Sequence, residues 1–101
     1  MIFIGFENGE FTSVNTDKYF TKIAFDVLKK RLTPKLGQAW LSEAQAELDG
    51  FGNLDLSELS NENFVLAYQE LEKNAKNNHE IDVLFDEIKP LFKADPRFQA
   101  A

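Results

Sequence analysis

Asn8-Gly9, set between Ile2-Phe3-Ile4-Gly5-Phe6 and Glu10-Phe11-Thr12-Ser13-Val14, is the feature that most restricts what this chain can become. In a two-residue hairpin turn both central residues need positive φ, which Asn and Gly tolerate best. The spacing therefore predicts strands over 2–6 and 10–14, joined by the turn Glu7-Asn8-Gly9-Glu10. Regular alternation puts Ile2, Ile4, Phe6 and Phe11 on one face and Phe3 and Val14 on the other. A lone two-stranded hairpin is marginal in water, so this one has to pack on helices, gain a strand or pair with a partner.

Helices are what the rest of the chain offers. Phe20, Ile23, Ala24, Val27 and Leu28 recur at three and four, which predicts a first helix over 17–30 with Thr16 as its N-cap and Lys29-Lys30-Arg31 at its negative end. Thr33-Pro34 then reads as a fresh start, Thr capping and Pro in the first helical position. The second helix is expected over 34–48, carrying Leu36, Trp40, Leu41, Ala44 and Leu48 and stopped by Asp49-Gly50. Residues 51–59 read as a loop with room for a short strand. Ser60 or Asn61 caps a third helix bearing Phe64, Tyr68, Leu71 and Ala75, and Asn77-Asn78 ends it. A fourth begins near His79, uses Ile81, Leu84, Phe85 and Ile88, and is expected to end or kink at Pro90. Asp95-Pro96 can start one last, fraying turn.

The 101 residues suit one domain, with 44% hydrophobic residues and ten phenylalanines to supply its core. The expected fold is α+β and predominantly α: a hairpin over 2–14, about four helices in a compact bundle over 16–94, and a C-terminal tail over 95–101. No apolar run is long enough to span a bilayer, and Met1-Ile2-Phe3-Ile4-Gly5-Phe6 lacks the basic flank of a signal peptide. The chain has no cysteine. That favours a reducing compartment, so a cytoplasmic location is expected, and it removes thiol catalysis and thiolate metal sites.

Catalytic and cofactor motifs are missing. Asp49, Asn53, Asp55 and Ser57 have the spacing of a calcium loop only superficially, since position six from Asp49 is Leu54 instead of Gly and position twelve is Ser60 instead of Glu. His79 is the only histidine and stands at a helix start, where a surface or capping role is expected. No Gly-x-Ser-x-Gly surrounds any serine, and there is no phosphate-cradling glycine loop. The expectation is a non-enzyme with no catalytic residues, no metal and no cofactor.

Charge is where the sequence departs from an ordinary small domain. Residues 1–35 carry six basic and four acidic side chains, and residues 73–101 carry five of each. Residues 36–72 carry eight acids and no Lys or Arg, so the whole net charge of −6 comes from that block. Glu43 and Glu47 stand four apart on the second helix, a like-charge spacing that costs about 0.2–0.5 kcal/mol. Glu47 and Asp49 also sit near the unfavourable end of the helix dipole. Retaining acids at such positions points to an acidic face made of Glu43, Glu47, Asp49, Asp55, Glu58 and Glu62 that meets something basic. Phe51, flanked by Gly50 and Gly52, is the candidate exposed aromatic anchor, whereas Trp40 falls inside the apolar arc and reads as core. A negative field also disfavours nucleic acid and anionic membranes as partners.

In size, acidity and the lysine-free stretch from Leu36 to Glu72, the chain resembles the small bacterial immunity proteins that neutralise nuclease toxins of the contact-dependent-inhibition or similar polymorphic-toxin type. The resemblance is one of class and rests on no specific motif. It implies a cytoplasmic protein inhibitor that plugs a basic toxin domain by protein–protein interaction and does no chemistry. The alternative is a small regulatory or adaptor module that acts by self-association through the hairpin edge or by binding a helix.

Overall fold

The structure is a computed structural model and describes residues 1–100; Ala101, the last residue of the expected tail, lies outside the described residues. The order is β1 (Ile2–Glu7), β2 (Glu10–Val14), α1 (Lys18–Phe51), β3 (Leu54–Asp55), α2 (Asn61–Ala75), α3 (His79–Ala94) and α4 (Pro96–Ala100). A hairpin followed by four helices makes the fold α+β and mainly α. The principal extents are 30 × 29 × 25 Å.

The Asn8-Gly9 turn forms as its residues demand, with φ of 54° and 81°. The hairpin then gains a third strand. β3 pairs in parallel with β1, Leu54 N–H donating to Met1 O (3.0 Å) and Leu56 N–H to Phe3 O (2.8 Å), so the sheet order is β2-β1-β3. The alternation of side chains does not run through the hairpin as expected. A bulge interrupts the register between Phe3 and Gly5. An extra residue on one strand shifts every later side chain to the opposite face. Ile2, Ile4 and Val14 therefore point into the core, while Phe6 and Phe11 share the outer face with Phe3.

α1 corrects three boundaries. Asp17, not Thr16, is its N-cap, with the carboxylate accepting from Phe20 N–H at 2.9 Å. Thr33-Pro34 does not restart the chain: the helix passes through Pro34 and breaks at Gly37 instead, at φ 88°, ψ 174°. Pro34 removes only the donor for the carbonyl of Lys30, and both residues are at the exposed surface where water can replace it. The conformation at Gly37 is one that glycine alone reaches without strain. A straight helix of this length would run about 51 Å, longer than any dimension of the molecule, so the chain has to turn, and it turns where no Cβ resists. At the far end Gly50 stays helical, and Gly52 supplies the left-handed stop, with φ 69° and its N–H donating to Leu48 O at 2.9 Å. The three additional helical residues bring the chain alongside β1 as β3.

α2 and α3 begin at local caps, Ser60 Oγ accepting from Asn63 N–H and Asn78 Oδ1 from Glu80 and Ile81 N–H. Pro90 does not end α3, which runs on to Ala94. Pro90 is exposed, while Ile88 and Phe92 on either side of it are fully buried and hold both halves of the helix in place. Phe92 stacks on Phe64 with ring centroids 4.4 Å apart, at the centre of a core completed by Ile2, Ile4, Phe25, Leu28, Leu32, Leu56 and Leu71.

The C-terminal segment is not a frayed tail. Asp95 is buried and caps α4, whose Phe98 packs against the core and meets Tyr68 edge-on at 4.8 Å. The reason is Arg97, whose contacts bear directly on the site below.

Candidate protein-binding face

The second half of α1 carries Trp40, Ala44, Glu47 and Phe51 at successive spacings of four, three and four, which aligns them along one helical stripe. Glu43 lies beside that stripe. Across from it the chain leaves Gly52 and returns through β3, presenting Asp55 and then Glu58. Trp40, Glu43, Ala44, Glu47, Asp55 and Glu58 together line an open cleft of about 290 Å³. Four of the six acids expected to form one face thus converge on one concavity, from two segments separated along the chain by the Gly52 turn.

The turn that carries Asp55 and Glu58 is held from both sides. Asp55 Oδ1 accepts from Ser57 N–H (2.8 Å) and Ser57 Oγ–H (2.6 Å), closing a local turn. From behind, Arg97 Nη1 donates to the carbonyls of Leu56 (2.8 Å), Leu59 (3.1 Å) and Ser57 (3.3 Å). The same guanidinium donates through Nη2 to Ile4 O (2.6 Å) and grips Asp95 with Nε on Oδ1 (2.9 Å) and Nη2 on Oδ2 (3.0 Å). Its plane lies over the Phe64 ring, 3.7 Å from the centroid. Such a fork with its donors used up is the geometry arginine provides and lysine does not.

Burial would by itself raise the Asp95 carboxyl, but the hydrogen bonds from the Arg97 side chain and backbone and the guanidinium charge outweigh it and hold the group below the usual carboxylate range. Nothing in the local sequence marks Arg97. Asp-Pro-Arg-Phe looks like an ordinary helix start, and the carbonyls that Arg97 serves lie 38 to 93 positions away.

Asp49 and Glu62 do not line the cleft. Asp49 Oδ1 accepts from Gln45 Nε2 at 3.0 Å, and its backbone carbonyl accepts from Lys18 Nζ at 3.1 Å. Glu62 pairs with Lys35 at 3.7 Å, both side chains largely in solvent. Of these two acids, Glu62 is thus answered by a lysine from the first part of the chain, whereas the Asp49 carboxylate is met by a neighbouring glutamine. Phe51 is 75% exposed, the most exposed large hydrophobic side chain among the described residues. Trp40 packs on the core, as its place in the apolar arc led one to expect, 6.2 Å from Phe25 between ring centroids, and it also lines the cleft.

His79 is exposed at the first position of α3, which Asn78 caps. Among the described residues, no three His, Cys, Asp or Glu side chains come together in a way that would hold a metal ion, and no helix is long and apolar enough to cross a membrane. Compared with known proteins, the chain matches no family model, no curated protein and no solved structure. Its functional reading rests on this geometry.

Proposed function

We propose that this protein is a non-catalytic inhibitor of the immunity-protein kind, acting in the cytoplasm of a bacterium by inserting its acidic cleft against a basic, nuclease-type toxin domain. The observation that carries the reading is the convergence of Glu43, Glu47, Asp55 and Glu58 on a cleft walled by Trp40, with the exposed Phe51 on the same helical stripe. A nuclease site that holds phosphates is basic. Carboxylates presented on a rigid wall therefore complement it and speed encounter. Trp40 offers a π-face to an arginine or lysine drawn in by the acids, and Phe51 offers the apolar anchor that charge alone does not supply.

The test begins with the immobilised chain and a lysate of the source organism, washed at low and then high salt, followed by association kinetics with the purified retained partner. The reading expects a basic domain whose on-rate falls steeply with ionic strength, and by about tenfold or more for the double reversal Glu43→Lys with Glu47→Lys. Asp55→Lys and Glu58→Lys should act in the same direction. An on-rate indifferent to salt and to these reversals would sink it.

A further inference from the structure

We infer that the free edge of β2 is a self-association surface, through which two copies of this chain join their sheets about a two-fold axis at Thr12. The inference is independent of the acidic cleft. β2 is an outer strand of the sheet, bonded on one side only, to β1. The direction of its backbone groups follows from the pairing. Phe3 O is taken by Leu56 N–H of the β3 side, so Phe3 and its opposite residue Ser13 form a pair not bonded to each other, and the Ser13 N–H and C=O face outward. Beyond the bulge, the two-residue turn makes Glu7 and Glu10 the closing bonded pair, so Phe6 and Phe11 are again a non-bonded pair and Phe11 also faces outward.

Phe11 and Ser13 are two apart, which is the spacing a two-fold antiparallel pairing requires. Phe11 then exchanges both backbone bonds with the partner's Ser13, and Ser13 with the partner's Phe11. Glu10 falls opposite the partner's Val14, so no like charges meet within the strand pair. On the outer face Phe11 comes diagonally to the partner's Phe11, a separation of about 7–8 Å that aromatic rings can bridge.

Two further features favour a second copy. Phe6 and Phe11 are each 51% exposed and form, with Phe3, an aromatic stripe with centroids 4.5 and 4.9 Å from Phe11. The two-fold axis makes that stripe continuous across both molecules. The edge also carries no Lys, Arg or Pro, and its one charge, Glu10, lies at the end of the strand, outside the Phe11–Ser13 pairing. The interface is small. Two half-exposed rings per copy, each about 150–250 Å² when wholly buried, with one short edge, fall below the roughly 1,200–2,000 Å² of a standard interface. The dimer is therefore reversible and forms at high chain concentration.

Sedimentation equilibrium of the full chain from about 10 μM to about 1 mM should show the average mass rising toward that of two chains. Ser13→Pro removes an N–H that bonds nothing within the chain, and Ser13→Lys places like charges diagonally across the axis. Each should leave the far-UV circular dichroism spectrum unchanged and weaken dimerisation by at least about tenfold. Amide exchange should slow with concentration at Phe11 and Ser13 selectively. A mass of one chain at the highest concentration overturns the proposal and leaves the edge to a strand of some other protein, or to none. A dimer that survives both folded variants also overturns it, by placing the contact elsewhere.

Discussion

Charge is handled in two opposite ways in this molecule. At Asp95–Arg97 a carboxylate and a guanidinium are almost withdrawn from water, with side-chain exposures of 7% and 15%, and the guanidinium spends its donors on one carboxylate and four carbonyls. In the cleft four carboxylates face solvent, and among the described residues none is in an ion pair. The first arrangement joins β1, the turn after β3 and the C-terminus, and so belongs to the fold. The second contributes little to the fold beyond the local turn that Asp55 closes, and is free to act on something else. The two are also linked, because Arg97 clamps from behind the same turn that presents Asp55 and Glu58. A saturated buried charge holds the frame on which the unsatisfied charges are displayed.

That contrast can be broken by mutation. Arg97→Ala strands the buried Asp95 carboxylate and frees the carbonyls of Ile4, Leu56 and Leu59; it should cost about 3–5 kcal/mol of unfolding free energy in urea titrations. Arg97→Lys should recover only part of this, since an ammonium cannot make the same fork.

Gly5→Ala should come next, at about 1–3 kcal/mol. The added Cβ would overlap Asp95 Oδ2 and lie 2.9 Å from Arg97 Nη2, so the pair has to move. The double variant with Arg97→Ala would show non-additive losses if the effect acts through the ion pair.

The sign of the pH dependence follows from Asp95. Its folded-state carboxyl titrates below the unfolded one, so the stabilisation is fully present above the ordinary carboxylate range and is lost as pH falls through the depressed folded value. Asp95→Asn should lower stability at neutral pH and flatten the acid limb of the stability curve. An acid limb of unchanged slope would mean that other carboxylates govern it.

Thr33 is a buried polar group of the opposite kind, one left without a partner. Its Oγ is buried without a hydrogen-bond partner, so Thr33→Val should stabilise by about 1 kcal/mol on chemical denaturation. The smallest change in stability should come from the cleft. Glu43→Gln or Glu47→Gln relieves a like-charge pair and should be neutral or stabilising by about 0.2–0.5 kcal/mol. Cleft variants as damaging as Arg97→Ala would erase the distinction between charge that builds the fold and charge that is displayed.

Much of this was legible one segment at a time. The Asn8-Gly9 turn, a cap at Ser60 or Asn61, a helix start near His79 and the apolar faces of α2 and α3 follow from preferences that act within a few residues, so they hold whatever surrounds them. The acids of the cleft were legible as a lysine-free block, because composition needs no coordinates. That Glu43, Glu47, Asp55 and Glu58 converge while Asp49 and Glu62 stand apart was not, since it depends on how Gly52 turns the chain back along β1.

The same division explains the boundaries that moved. Pro34 and Pro90 are local helix breakers, yet both lie within helices because the missing bond is on the wet side and buried residues hold the flanking turns. The bulge at β1 reversed the faces of Phe6 and Phe11 because Ile4 and Gly5 answer to the core and to Asp95, not to the strand's own period. Arg97 is the extreme case. Local preferences alone were enough for most of the elements and for the charge carried by the middle of the chain. The tertiary structure decided where α1 bends, which face the aromatic residues of the hairpin take and that a C-terminal arginine closes the molecule. The first two depend on how apolar faces close into one core and the third on pairing buried polar groups that are far apart in sequence, and no local preference carries either requirement.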